Sequence, residues 1–496
     1  MSANLHSEQR TRLWLALIVL LYLALASAYA MFTPAWQVPD EPAHYNYVKY
    51  IAETGRLPEL RPGDYPAEYL EEIKAARFAP EYSIDPIRYE SHQPPLYYLL
   101  ATPAFLLGRA LGVATPLLPL RLFTTLLGCL SLLVAFKLVR ALAPGRPDLA
   151  LGTVAFIAFL PMRLAIAGAV NNDVLVELLL ALTAWQLVIM DKRGWTIRRS
   201  LLLGLTIGLA LLTKLQAYVA APLAFFAWAW AVAAARRTRQ PVGPLLVQGA
   251  LVLAVATACV APWLERNASV YGPGDLLGMV RHDAVAGGQL TTAALIAERG
   301  LVGTLRSLAQ TTFQSFWGQF GWMGVPLHPR VYQALAALCA LALLGLLDSA
   351  RDLWRQARNG VRAYEMMLLA AWGALTVAGF LWYNLQYVQH QGRYLFPALP
   401  VWALAFTVGM QRLYSRAPRW VLAVLGAAAV GLLILATVSG DLRAYALMLV
   451  LASATLVVVG RWIERRWPGA ALAATALILA GFAAWCLTVL VPALTA

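Results

Sequence analysis

Asp40 and Glu41 stand side by side in VPDEPAHYNYVKY (Val38 to Tyr50), straight after about twenty apolar residues, and His44 follows three positions on. Comparable groups recur where other apolar runs end: His92 and Gln93; Asn171, Asn172 and Asp173; Lys214 and Gln216; Glu265, Arg266 and Asn267; His390, Gln391, Arg393 and Tyr394. Ionisable side chains at membrane depth are costly and mostly face an interior cavity. Carboxylates, imidazoles and fixed cations together suit group transfer from a phosphate-bearing lipid. A carboxylate takes the proton of the incoming nucleophile, and cations stabilise the departing phosphate. Each residue also has a purely structural reading. Pro39 and Pro42 make a rigid turn around the acids, and Asp173 is a good helix N-cap. Glu177 can pair with Arg163 or Lys214, and Arg393 can anchor a helix start. The aromatic run FQSFWGQFGWMG (Phe313 to Gly324) fits either a membrane-interface belt or a platform for sugar rings. Asn267 opens an Asn-Ala-Ser glycosylation sequon.

The elements that must position these groups are membrane helices. The 496 residues are 60% hydrophobic and 13% charged, with mean hydropathy +0.64, whereas soluble domains carry about 25% charge. Apolar stretches long enough to cross a bilayer as helices recur along the chain. The pattern predicts an all-α polytopic membrane protein of about 13 spans, near 13–32, 119–140, 149–168, 174–190, 201–214, 217–235, 244–263, 330–347, 363–385, 394–412, 419–437, 442–460 and 469–492. Every second loop is basic, among them Asp191 to Ser200, Arg236 to Gln240 and Arg351 to Arg362. The positive-inside rule then puts the N-terminus and these loops in the cytoplasm, and the net charge of +14 is no nucleic-acid footprint. A span at PPLYYLLATPAFLLGRALG (Pro94 to Gly112) would invert every later loop. It is expected instead as an interfacial helix begun by the two prolines. The chain divides into a module 1–263 with a first outer loop 33–118, a second long outer loop 264–329, and C-terminal helices 330–496. The first span lacks a cleavage site before Pro34 and reads as an anchor. All four cysteines fall inside spans, so neither a disulfide framework nor a cysteine metal site is expected.

The Asp-Glu pair just after the first span resembles that of the GT-C superfamily of integral membrane glycosyltransferases. HQPPLYYLL (His92 to Leu100) resembles the His/Lys-x-Pro-Pro-Leu stretch of their protein O-mannosyltransferase and lipid A aminoarabinose transferase branches. VNNDVLVELLLAL (Val170 to Leu182) is similar to their acidic second outer loop, and LLTKLQAYVAAP (Leu211 to Pro222) to their Leu-Thr-Lys turn. QGRYLFPALP (Gln391 to Pro400) and FWGQFGWM (Phe316 to Met323) resemble most a bacterial branch of predicted membrane proteins without an assigned reaction. The resemblance implies an inner-membrane enzyme that moves a sugar, with inversion, from a polyprenyl-phosphate-linked donor to a lipid, glycan or protein acceptor at the outer face. Asp40 or Glu41 would be the base, His92 and Asp173 would shape the pocket, and Lys214 and Arg393 would hold the lipid phosphate. His44, Gln93, Asn172, Arg266, His390 and Tyr394 complete the expected substrate-binding set. No cofactor is required. Proline at position 42 departs from the Asp-x-Asp motif of the metal-using oligosaccharyltransferase branch, which allows a divalent metal without requiring one. The competing reading is a polytopic transporter or lipid flippase; it expects polar groups along a path through the bilayer centre rather than at one cavity.

Overall fold

The computed structural model describes residues 2–358 and 362–495; residues 359–361 of the basic stretch after the eighth expected span lie outside them. Helix α1 (Ser2–Phe32) is followed by an ordered connection of α2 (Glu41–Thr54), α3 (Ala67–Ala75), a 3₁₀ turn (Tyr89–His92) and α4 (Leu96–Ala110). α4 begins directly after Pro94-Pro95. It turns Tyr97, Tyr98, Ala101 and Phe105 inward and leaves Leu99, Leu100, Leu106 and Leu107 exposed, an outer face suited to lipid contact.

α5 (Leu117–Leu142) is followed by α6 (Pro147–Ala158) and α7 (Pro161–Ala167), two parts of one span bent by 66°. Pro161 has no N–H to continue the α6 ladder, which accounts for the break. Then come α8 (Asp173–Arg193), α9 (Ile197–Leu211), a 3₁₀ turn (Leu215–Val219), α10 (Ala220–Arg237) and α11 (Gly243–Tyr271). The second long connection holds α12 (Met279–Val285), α13 (Thr292–Trp317) and a hairpin of β1 (Gln319–Phe320) and β2 (Val325–Pro326). α14 (Pro329–Arg358), α15 (Ala363–Asn384), a 3₁₀ turn (Gly392–Ala398), α16 (Leu399–Arg416), α17 (Arg419–Ser439), α18 (Ala444–Arg466) and α19 (Ala470–Thr495) complete the chain.

Among the described residues eleven helices are long and apolar enough to cross a membrane, and the bent pair makes a twelfth. The remaining expected span, 201–214, is α9. Its 15 residues rise about 22 Å at 1.5 Å each, yet it starts just after α8 ends and brings Lys214 back to Asp173 at the start of α8, so it returns along that span. α9 packs along α8 and α11, and its early end leaves Thr213 and Lys214 buried inside the bundle. A second boundary also moves. α11 continues past residue 263 to Tyr271, so Glu265, Arg266 and Asn267 are helical rather than in a loop.

Two close approaches order the C-terminal half. A Cβ on Gly409 would lie 1.9 Å from the Ala342 carbonyl, so α14 and α16 touch backbone to backbone; α16 also packs on α6. Gly392 is pressed against α13, where a Cβ would meet the Thr312 carbonyl at 2.3 Å, and its N–H donates to Ser315 Oγ at 2.7 Å. This contact seats the 3₁₀ turn, with Arg393, against α8 and α15.

Candidate active site

Asp40 immediately precedes α2 in a left-handed conformation, φ 68°, that residues other than glycine seldom adopt. Its two oxygens have different partners. The Tyr89 hydroxyl donates to Oδ1 at 2.8 Å, and the Arg393 guanidinium donates to Oδ2. Burial alone would raise the Asp40 pKa; Arg393 and His44 outweigh it and hold the carboxyl well below the usual range. Arg393 Nη1 in turn lies 3.7 Å from Asp173 Oδ2, and Lys214 Nζ donates to Asp173 Oδ1 at 2.6 Å. The result is an alternating row: Lys214, Asp173, Arg393, Asp40, Tyr89. Arg393 is almost wholly buried, yet its Nε and Nη1 have no hydrogen-bond partner among the described residues.

Asp40, Lys214 and Arg393 line one cavity of about 770 Å³, together with Glu90, His92, Gln93, Gln216 and Tyr394. His92 Nδ1 faces the Tyr89 carbonyl at 2.9 Å, and its ring sits 4.5 Å from that of His282. Burial and His282 push the His92 pKa down to about 3, so the ring is neutral. Tyr394 donates to Gln389 Oε1 at 3.2 Å, and the Arg393 guanidinium lies 5.3 Å from its ring centre. The cavity therefore draws on both halves of the chain.

The other expected site residues lie elsewhere. Glu41 is separated from its neighbour. Its carboxylate is fully buried and turned away from the cavity into a bidentate pair with Arg121, at 2.8 and 2.6 Å. It also accepts the backbone N–H groups of Trp36 and Val170, both at 3.1 Å. Arg121 donates further to the carbonyls of Ala30, Thr33 and Pro34. Glu41 thus locks the exit of α1 to α5. His44 and Asn172 stand behind the cavity wall. His44 Nδ1 meets the Tyr98 hydroxyl at 2.9 Å, and burial followed by Lys214 lowers its pKa to about 3. Asn172 Nδ2 reaches the Tyr98 hydroxyl and the Thr213 carbonyl, each at 3.4 Å. Arg266 stacks between Trp263 and Tyr271 and donates to the Pro58 carbonyl, tying the first connection to α11. His390 lies 3.4 Å from Ser307 Oγ and fixes the approach to the 3₁₀ turn against α13.

The structural readings divide in the same way. Asp173 is the first residue of α8 and uses its carboxylate on Lys214 rather than as a cap. Glu177 pairs with Arg163 at 2.8 Å. The Asn267 side chain is buried and donates to the Leu276 carbonyl, so the sequon is not presented at a surface. In the aromatic run, Trp317 and Phe320 belong to the core and Trp322 lines the cavity.

Three polar residues were not anticipated. Arg121 could have been, because an arginine inside an apolar run demands a partner. Glu90 lines the cavity with Oε2 unpartnered, and burial, then Asp40, raises its pKa to about 7. His282 gives no sequence signal. Among the described residues no three His, Cys, Asp or Glu are grouped to hold a metal ion.

The chain belongs to the family described as "Predicted membrane protein (DUF2142)", whose model matches residues 78–402. No curated protein matches the sequence. Its fold is that of the GT-C membrane glycosyltransferases. It is similar to ArnT from Cupriavidus metallidurans bound to undecaprenyl phosphate, with TM-score 0.53 and 15% identity over 96% of this chain and 77% of that one. The apo state of that protein gives 0.51 and 16%, over 96% and 76%. The oligosaccharyltransferase of Archaeoglobus fulgidus, tethered with an acceptor peptide containing the NVT sequon, gives 0.50 and 15%, over 89% of this chain and 55% of that one.

Proposed function

We propose that this protein is a membrane glycosyltransferase that moves a sugar from a polyprenyl-phosphate-linked donor to an acceptor, with inversion, at the outer face of the inner membrane. The observation that carries the reading is the row of alternating charges at one cavity, centred on an arginine with unpartnered N–H groups. A similar fold that binds undecaprenyl phosphate, and another tethered with an acceptor peptide, support the donor and acceptor halves of the scheme.

Arg393 and Lys214 receive the lipid phosphate. Asp40 takes the acceptor proton as the acceptor oxygen bonds to the anomeric carbon. The bond from that carbon to the phosphate oxygen breaks, and its electron pair leaves on polyprenyl phosphate, beside the two cations. The Asp40–Arg393 pair explains how a weakly basic carboxylate becomes a base. A phosphate that shares Arg393 withdraws the charge holding the Asp40 pKa down, so donor binding raises its basicity. The same pair must open for a sugar to lie between base and phosphate. Gln93, His92 and Tyr394 line the space around it. Glu41, His44, Asn172, Arg266 and His390 hold the walls. No step requires a cofactor or a metal.

The test is binding of undecaprenyl phosphate by the purified protein in detergent. Arg393→Lys keeps the charge but loses the planar fork. It is expected to weaken binding about tenfold, the equivalent of one good charge-assisted contact. Unchanged affinity would remove Arg393 from the phosphate site.

A further inference from the structure

We propose that the acceptor is a saccharide, and that it binds on an aromatic wall formed by Tyr65, Tyr89 and Trp322, with Glu71 and Lys74 at its rim; this rests on the glycosyltransferase reading of the cavity. All five residues line the same cavity as Asp40. Tyr89 links the wall to the base, since its hydroxyl donates to Asp40 while its ring meets Tyr65 edge to face at 5.5 Å. On the phosphate side, Arg393 donates to the other Asp40 oxygen. The base therefore stands between a cationic side and an aromatic side.

The backbone around this wall is held in an unusual state. Nine residues other than glycine have positive φ among the described residues, and six gather here: Trp36, Asp40, Arg77, Phe78, Trp322 and Met323. They are tied to one another. Trp322 Nε1 donates to the Trp36 carbonyl at 2.9 Å, Phe78 stacks on Trp322 at 6.0 Å, and Gln37 Nε2 donates to the Arg77 carbonyl at 2.9 Å. Bulky side chains are rare in this region of φ, and such strain persists where surrounding structure fixes it, typically at functional sites. Trp322 packs beside the cluster of Leu70, Ile73 and Ile87, and its half-buried indole also lines the cavity.

The chemistry of the wall selects among acceptors. A sugar ring offers apolar C–H faces and a rim of hydroxyls. The half-buried rings of Tyr65 and Trp322 take the faces, and the ion-paired Glu71 and Lys74, whose ammonium lies 5.4 Å from the Trp322 ring centre, suit the hydroxyls. Residues beside the wall are charged and exposed, among them Glu68, Glu72 and Glu81, so this side opens to water rather than to lipid chains. A peptide captured by strand addition would need a longer edge than the two-residue strands β1 and β2 provide.

The test is titration of the purified full chain, in detergent, with methyl glycosides of glucose, mannose, galactose and N-acetylglucosamine, beside glycerol and a soluble tetrapeptide. Tryptophan fluorescence and saturation-transfer NMR read binding; undecaprenyl phosphate binding is read in parallel. At least one glycoside is expected to saturate, with Trp322→Ala weakening it about tenfold and Trp322→Phe much less, while undecaprenyl phosphate binding stays unchanged in both. Should Trp322→Ala lose a monodisperse elution profile, Tyr65→Leu carries the test with the same expected loss. If undecaprenyl phosphate binds and no glycoside does, or if glycoside binding ignores both substitutions, the saccharide wall is overturned while the donor reading stands. Trp322-dependent binding of the tetrapeptide alone overturns it in favour of a protein acceptor. Trp322-dependent glycoside binding without undecaprenyl phosphate binding upholds the wall and removes the donor reading.

Discussion

Glu41→Gln separates two adjacent acids that the sequence treats alike. The wild-type carboxylate accepts four hydrogen bonds: Arg121 Nε and the Val170 N–H on Oε1, Arg121 Nη2 and the Trp36 N–H on Oε2. A glutamine keeps one oxygen. Whichever way its amide turns, two of the four donors then face another donor. Each buried donor left unsatisfied costs about 1–3 kcal/mol. A buried ion pair broken on one side costs about 3–5 kcal/mol, so the two routes agree near the middle of that span. Three kcal/mol is more than a hundredfold in the folding equilibrium, at ~1.4 kcal/mol per factor of ten. The carboxylate is fully buried, so little solvent screening reduces this. The assay is reversible unfolding in mixed micelles, with Asp40→Asn as the comparison. Asp40 is 20% exposed at a cavity wall, where water can take over part of its role, so its loss is expected to be less than half as large. Replacing both Glu41 and Arg121 by methionine removes the uncompensated charge but leaves the Trp36 and Val170 N–H groups without an acceptor, so only part of the Glu41→Gln loss should return. A Glu41→Gln protein as stable as wild type but without turnover would refute the reasoning and make Glu41 the base.

Two other substitutions test the site's construction. Glu90 has a folded-state pKa of about 7 against its usual 4.5. Its contribution to stability is therefore present below about 4.5 and is lost as pH rises through about 7. Glu90→Gln is expected to melt higher than wild type at pH 8 and equally at pH 4.5; a pH-independent difference would contradict that. Gly392→Ala places a Cβ 2.3 Å from the Thr312 carbonyl, and backbone there cannot move aside cheaply. It should displace the Arg393 turn and weaken undecaprenyl phosphate binding at least as much as Arg393→Lys; retained affinity would show that the turn is not rigidly seated.

The residues that sequence located well are those whose cost is local. Asp40, Asp173, Lys214 and Arg393 each stand at the end of an apolar run, where an ionisable group needs a cavity or a partner, and all four meet in one row of charges. What sequence could not give was direction. Asp40 and Glu41 are adjacent, but a left-handed residue before a helix start sends one carboxylate to the cavity and the other into the core. Neighbours in sequence carry no information about that divergence. Arg266 and His390 failed for a related reason: both follow apolar runs, yet helix register and a strap to α13 turn them toward Pro58 and Ser307. Glu90 and His282 lie in polar connections, where an acid or an imidazole looks ordinary until tertiary packing buries it. Span counting met a different limit. Hydropathy records that 201–214 is apolar but not that α9 ends at Leu211, and this early end is what leaves Lys214 in the bundle interior.

The central claim is that Asp40 deprotonates the acceptor while Arg393 and Lys214 take the lipid phosphate. Its most direct test is release of free polyprenyl phosphate from a panel of polyprenyl-phosphate sugars in the presence of a cell-envelope extract, wild type beside Asp40→Asn. Release by wild type that falls at least about a hundredfold in Asp40→Asn, within the range of a lost general base, with undecaprenyl phosphate still bound, is the predicted result. Equal release by both proteins would contradict the account, and so would the absence of release from every donor by a folded wild-type protein that binds the lipid.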